Sequence, residues 1–203
     1  IFGRRLVREP RQQQENLEPM STIDDAPSTS SAGSGVGSGA EAPADSIAGF
    51  LGADHQRIAK LWSTTLSAFE RSDFNAMHER TAEFIAAMRR HLRMEEQILF
   101  AAIEEKTGQS KTGPTHAMRL EHREIERVLH GLTPLLTVQE RWTAIQAIEG
   151  GLTDPSALFR SHDVKEETVL YPMADRLLGA QSARKLIERM RTEVDSPSAI
   201  AAG

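Results

Sequence analysis

The chain reads as an all-α protein, an up-down-up-down four-helix bundle, on three observations. Apolar residues recur at alternating steps of three and four over long stretches, no run of β-branched or aromatic residues alternates strictly, and one mixed stretch of apolar and metal-capable residues occurs twice. The first copy is His91-Leu-Arg-Met-Glu95-Glu-Gln-Ile-Leu-Phe100, and 71 residues later comes His162-Asp-Val-Lys-Glu166-Glu-Thr-Val-Leu-Tyr171. Each copy has an upstream partner, Asp54-His55-Gln-Arg-Ile58 and Glu121-His122-Arg-Glu-Ile125. The intervals, 36 residues from His55 to His91 and 40 from His122 to His162, each suit a helix, a turn and part of a second helix. The bundle is therefore expected to be a duplicated helical hairpin.

Taken in order, residues 1–44 are rich in Gln, Glu, Ser, Gly and Pro and cannot bury enough surface to offset ordering entropy, so a disordered low-complexity tail is expected. Met20-Ser-Thr within it reads as a natural start, which the intact mass of natively expressed protein would decide. Residues 45–195 form the expected bundle domain and residues 196–203 a frayed end. Asp45 or Ser46 can cap the first helix, whose inward stripe is Leu51, His55, Ile58, Trp62, Thr65 and Phe69. Arg71-Ser-Asp73 makes a turn, and the second helix runs from about Asn75 to Glu105 with Met77, Phe84, Met88, His91, Glu95, Ile98 and Ala102 inward. Thr-Gly pairs and Pro114 punctuate the loop that follows.

The third helix aligns Met118, His122, Ile125, Leu129 and Leu132, and Pro134 stops it. The stretch from 138 to 148 reads as helical, after which Gly150-Gly151 and Pro155 interrupt the pattern. The fourth stripe is Phe159, His162, Glu166, Val169 and Met173, with Pro172 expected to kink or close the helix. A short extra C-terminal helix from Ser182 to Val194 places Leu186, Ile187, Met190 and Val194 on one side.

Composition excludes several function classes. No cysteine is present, which removes thiolate metal sites, disulfides and cysteine catalysis and fits a cytoplasmic protein. A net charge of -5, with arginines interspersed among acids, gives no broad attraction to nucleic acid or anionic lipid. The longest apolar runs fall far short of the roughly 20 residues that cross a bilayer.

A carboxylate on an apolar stripe loses hydration and needs a proton, a cation or a metal, whereas a lone imidazole there is commonly satisfied by a backbone carbonyl. Four histidines fall on four separate stripes and two glutamates join them, giving His55, His91, Glu95, His122, His162 and Glu166 as the candidate metal ligands. Six nitrogen and oxygen donors without sulfur suit iron, manganese or zinc, and carboxylates that can bridge favour two ions over one. His78, His116 and His130 lie off the stripes, by about 220°, 240° and 80° of helix rotation. Glu96 and Glu167, one position beyond the stripe glutamates, are expected to be solvated or to support the ligands from outside. Asp54 and Glu121 are expected at the surface, with orientation of another imidazole as the alternative. Tyr171 lies about 140° from Glu166 at helical pitch and is expected to be packing, and Met118 to be core filling.

With His55, His91-x3-Glu95, His122 and His162-x3-Glu166 on four helices, residues 45–195 resemble the hemerythrin family in its bacterial HHE cation-binding branch. Thr107-Gly, Gly113-Pro-Thr, Met118-Arg-Leu-Glu-His122 and Lys165-Glu-Glu-Thr-Val-Leu-Tyr-Pro-Met-Ala-Asp175 carry the same resemblance. It implies a non-haem di-iron centre, two Fe ions with room for an oxo or hydroxo bridge. In that centre Glu95 and Glu166 would bridge, the histidines would fill terminal positions, and O2, NO or peroxide would reach an open position. Oxygen-carrying members have His-x3-His on the third helix and His-x4-carboxylate on the fourth. Here Met118 takes the earlier third-helix position and the fourth-helix spacing is x3, which argues against reversible oxygen carriage. The iron–sulfur repair branch carries a cysteine-bearing N-terminal segment that this chain does not match.

Three readings stand in order: a di-iron protein that binds or reduces a diatomic ligand or peroxide; an iron or oxygen sensor or iron-homeostasis module read by a protein partner; and a structural bundle with zinc or no metal. No separate acid, base or substrate pocket is legible, so the sequence assigns no catalytic residue.

Overall fold

The computed structural model describes residues 42–137, 139–140 and 155–195, with side chains as far as residue 192. Every regular element among them is helical. Helix α1 is Ile47–Glu70; α2 is Phe74–Met94, which passes through a π-helical turn, Glu95–Leu99, straight into α3, Phe100–Thr107. Helix α4 is Pro114–Gly131, followed by a 3-10 turn, Thr133–Leu136. Helix α5 is Pro155–Lys165, which passes through a second π-helical turn, Glu166–Leu170, into α6, Tyr171–Leu178; α7 is Ala180–Asp195. The stretch expected to be helical over 138–148 is outside the described residues, apart from 139–140, as are the Val194 side chain, residues 1–41 and residues 196–203. No helix among the described residues is long and apolar enough to cross a membrane.

The element ends follow local chemistry. Ser46 caps α1 by accepting from the Gly49 N–H at 3.0 Å, and Asp175 reaches across from α6 to take the Ile47 and Ala48 N–H groups at 2.8 and 3.1 Å. The Arg71–Asp73 turn places Ser72 at φ 56°, and Asp73 accepts from Ala76 N–H at 3.1 Å to start α2. Gly108 ends α3 at φ 71°, a conformation that costs a side-chain-bearing residue about 1–2 kcal/mol, and Pro114 occupies the first turn of α4, where its missing N–H is least needed.

Two apolar clusters stack along the bundle. One contains Ile58, Trp62, Phe84, Met88, Ile125, Leu129 and Phe159; the other contains Leu51, Ile98, Phe100, Ile103, Met118, Leu170 and Ile187. Along α1 the chain passes from the second cluster through His55 to the first. Along α2–α3 it returns through His91 and Glu95; α4 repeats the first direction through His122, and α5–α6 the second through His162 and Glu166. Alternating direction is the expected up-down-up-down topology, and it gathers the polar side chains into one layer between two greasy ones.

The π turns correct the sequence stripes. A π turn closes its hydrogen bond at i+5, and the Phe100 and Tyr171 N–H groups donate to the Glu95 and Glu166 carbonyls. One extra residue enters each turn, so the fourth stripe continues through Leu170 and Ala174, both buried, and not through Val169, which is 60% exposed, or Met173, which is half-buried. In the other copy the inward line likewise shifts from Ala102 to Ile103. Pro172 does not close the helix: it sits in the first turn of α6, directly after the widened turn, and the chain continues helical to Leu178.

Candidate metal centre

The four imidazoles and two carboxylates expected from sequence converge. His55, His91, Glu95, His122, His162 and Glu166 are each no more than 5% exposed. Within the layer, Glu95, His122, His162 and Glu166 bring donor atoms together around one point, and His55, His91 and Glu166 do so around another. Glu166 belongs to both groups; Glu95 reaches both as well, with Oε2 3.4 Å from His91 Nε2 and 3.3 Å from His122 Nε2.

Each imidazole is oriented by a carboxylate on its outer nitrogen. The Nδ1 atoms of His55, His91, His122 and His162 lie 2.9, 3.0, 2.9 and 3.2 Å from Glu167, Asp54, Glu96 and Glu121. An ionised carboxylate only accepts, so Nδ1 must carry the proton and donate, which leaves the Nε2 lone pair facing inward. The pattern obeys the duplication. The acid preceding His55 serves His91 and the acid preceding His122 serves His162, while Glu96 and Glu167 serve His122 and His55. Asp54 and Glu121 are thus not merely surface acids. The signal available in the sequence was that acids flank the stripe residues at the same offsets in both halves.

The inner atoms do not satisfy one another. Glu95 Oε2, Glu166 Oε1, His122 Nε2 and His162 Nε2 are buried without a hydrogen-bond partner. His55 Nε2 stands 3.0 Å from His91 Nε2, which sets two lone pairs against each other when both Nδ1 atoms are protonated. The nitrogen–oxygen separations, 3.3 Å for His55–Glu166, His162–Glu166 and His122–Glu95 and 3.7 Å for His122–Glu166, are long for hydrogen bonds. They suit ligands of a shared ion: two atoms each about 2.1 Å from one metal lie about 3.0 Å apart at a right angle and about 3.4 Å apart at the tetrahedral angle. A divalent cation fits this donor set.

The electrostatics agree. Burial disfavours the charged form of His55, yet the Glu166 carboxylate 3.3 Å away, the hydrogen bond to Glu167 and the field of Asp163 outweigh it, pushing its pKa up to about 10. His122 is likewise desolvated and likewise pushed up to about 10 by Glu166 and Glu95. Glu166 is held well below the ordinary carboxylate range: desolvation opposes this, and the nearby imidazoles of His122 and His55 overcome it. The layer demands positive charge, and protons supply it where a metal does not.

Sequence reasoning missed the hydroxyl of Tyr171. At ordinary helical pitch it would point away from Glu166, but the π turn carries it back over that residue. It is fully buried, donating at 2.7 Å to Glu95 Oε1 or at 2.9 Å to Glu166 Oε2, and it lies 3.1 Å from His55 Nε2. Burial, then the Glu95 and Glu166 charges, raises its pKa well above the ordinary phenol value, so it stays a donor. Its counterpart in the first copy, Phe100, stacks on His122 with ring centroids 5.4 Å apart. His78, His116 and His130 join neither group of donors among the described residues, and Met118 packs in an apolar cluster.

Residues 46–174 match the family described as the Hemerythrin HHE cation binding domain. No curated protein and no solved structure matches the chain.

Proposed function

We propose, from the premise that the chain belongs to the hemerythrin HHE cation-binding domain family, that its metal centre is a non-haem di-iron site which binds or reduces O2, NO or peroxide. The observation that carries this is the set of four buried, unpartnered donor atoms on Glu95, Glu166, His122 and His162, beside the 3.0 Å approach of His55 Nε2 to His91 Nε2. His122 and His162 would hold one ion, His55 and His91 the other, and Glu95 and Glu166 would be shared. Two carboxylates and four imidazoles favour iron or manganese over softer-ligand metals, and the shared carboxylates favour a pair.

A redox-active pair, when bound, supplies electrons and an open coordination position for a small ligand. The protein's own contribution is orientation and exclusion. Glu167, Asp54, Glu96 and Glu121 fix the four imidazole tautomers, Tyr171 donates a hydrogen bond to the shared carboxylates, and the apolar clusters above and below keep bulk water from the layer. Met118 stands where oxygen-carrying members have a third-helix histidine, so the centre has one imidazole fewer there and a position open to an external ligand. Mixing the reduced, iron-loaded protein with O2, NO or peroxide in a spectrophotometer tests the reading: a ligand-dependent band is expected, and its absence with all three rejects it.

A sensor or iron-homeostasis role has one observation in its favour. The unpartnered donors couple order in the bundle to metal occupancy, so the metal-free protein should be looser. Equal proteolysis rates with and without iron would remove this second reading.

A further inference from the structure

The two halves of the metal layer are copies, and their differences say where the copies have diverged. Aligned on His91–Glu95 and His162–Glu166, the repeats place Leu92 opposite Asp163 and Phe100 opposite Tyr171. At both positions the second half carries an oxygen group where the first carries hydrocarbon. Both oxygens also fall beside the same imidazole. Asp163 Oδ1 is 3.6 Å from His55 Nε2, and the Tyr171 hydroxyl is 3.1 Å from that atom. The His122 side has their apolar mates, with Phe100 stacked on the ring and Leu92 beside it in a groove on the outside of the bundle.

Asp163 stands at the edge of the layer, outside both compact groups of donor atoms, with its Oδ1 toward His55. It sits in the wall of a cavity of about 300 Å³ lined chiefly by Trp62, Phe84, Met88 and Phe159, and it is 23% exposed. Among the described residues its ion-pair partner is His55, on the nitrogen that faces inward. A leucine serves the equivalent place in the other half, so the fold does not need an acid there. The 3.6 Å separation is too long for a hydrogen bond and falls with the 3.3–3.7 Å nitrogen–oxygen separations found between the other donors of the layer.

Resting on the metal-binding reading above, the geometry points to Asp163 as a further metal-ligating residue, which makes the His55–His91 position unlike the His122–His162 position and the tighter of the two for a hard divalent cation. Asp163 adds one carboxylate charge to a position already supplied by His55, His91 and the shared glutamates. Tyr171 adds a neutral oxygen on the same side. The metals therefore load in sequence, with the His55 position first, and the apolar cavity opens onto that position beside Asp163.

Titrating the full chain with manganese(II), and counting free ion by its EPR signal, tests this without reference to activity. The native protein should bind two ions with affinities at least tenfold apart. Asp163→Asn, which keeps the shape and removes the charge, should weaken the tighter ion at least tenfold and bring the two affinities together. Asp163→Leu, which copies the first half, should do the same, and circular dichroism shows whether each variant is folded; if the leucine variant fails to fold, the asparagine variant alone decides. A D163N curve that superimposes on the native one, or two ions bound natively with equal affinity, overturns the inference while leaving the metal centre intact. A native chain that binds neither manganese(II) nor iron(II) overturns the metal-centre reading and this inference together.

Discussion

Removing the acceptor behind one imidazole should weaken metal binding in proportion to how well water can replace it. Asp54 holds His91 Nδ1 at 3.0 Å and is 11% exposed, whereas Glu167 holds His55 Nδ1 at 2.9 Å and is 46% exposed. Loss of such an orienting carboxylate costs about 10–100-fold in metal affinity, or about 1.4–2.8 kcal/mol. In Asp54→Ala little water can reach the vacated place, the imidazole is free to take the other tautomer, and the loss should lie near the upper end. In Glu167→Ala solvent can take the proton donor's bond, and the loss should lie near the lower end. Burial opposes charge on Asp54, but its bond to His91 and the neighbouring Arg57 hold its pKa below the ordinary carboxylate value, so the acceptor is ionised at neutral pH. Competition against a chelator, with iron or manganese, reads both variants, and the metal-free melting temperature controls for unfolding. Affinity within twofold of native in D54A, or a larger loss in E167A than in D54A, would refute the claim that these carboxylates act by fixing the inward lone pair.

Other outcomes follow from the same geometry. Because the pKa values of His55 and His122 in the metal-free bundle are raised to about 10, above the unfolded value near 6.5, their contribution is complete below about pH 6.5. It is lost as pH rises through about 10, so urea midpoints of metal-free protein should fall over that window. Metal loading at pH 8 should release protons into a weakly buffered solution, and loaded protein should lose little stability over the same range; a flat metal-free profile would contradict the assigned imidazole charges. Asp175→Ala removes both carboxylate acceptors from the start of α1 and should cost about 1–2 kcal/mol by denaturant titration. No change would mean that water caps that helix equally well.

The layout of the centre was legible because metal ligands violate the rule that makes helices readable. On an apolar stripe, His91 or Glu166 stands out against its neighbours, and the second copy of the pattern repeats the violation at the same spacing. What periodicity hides is a change of period. The π turns at Glu95–Leu99 and Glu166–Leu170 insert one residue each, so an α-helical projection misplaces Ala102, Val169, Tyr171 and Met173, while Ile98 still falls inward. For that reason the projection turns Val169 inward and places Tyr171 about 140° from Glu166 as packing. The repeat held a clue, since an aromatic stands five residues after the glutamate in both copies, Phe100 and Tyr171, and a buried aromatic five residues on is what a π turn would place there. The orienting acids were hidden differently. Asp54 and Glu121 look solvated on their own helices, and only the packing of helix on helix brings each to an imidazole elsewhere.

The measurement that bears most directly on the central claim is metal content per chain, taken on protein purified without chelator and joined to Mössbauer spectroscopy of iron-reconstituted samples. Two ions per chain are predicted, magnetically coupled through the shared carboxylates, with both lost when His122 and His91 are replaced together by alanine. One ion per chain, uncoupled iron, or metal retained by that double variant would contradict the account.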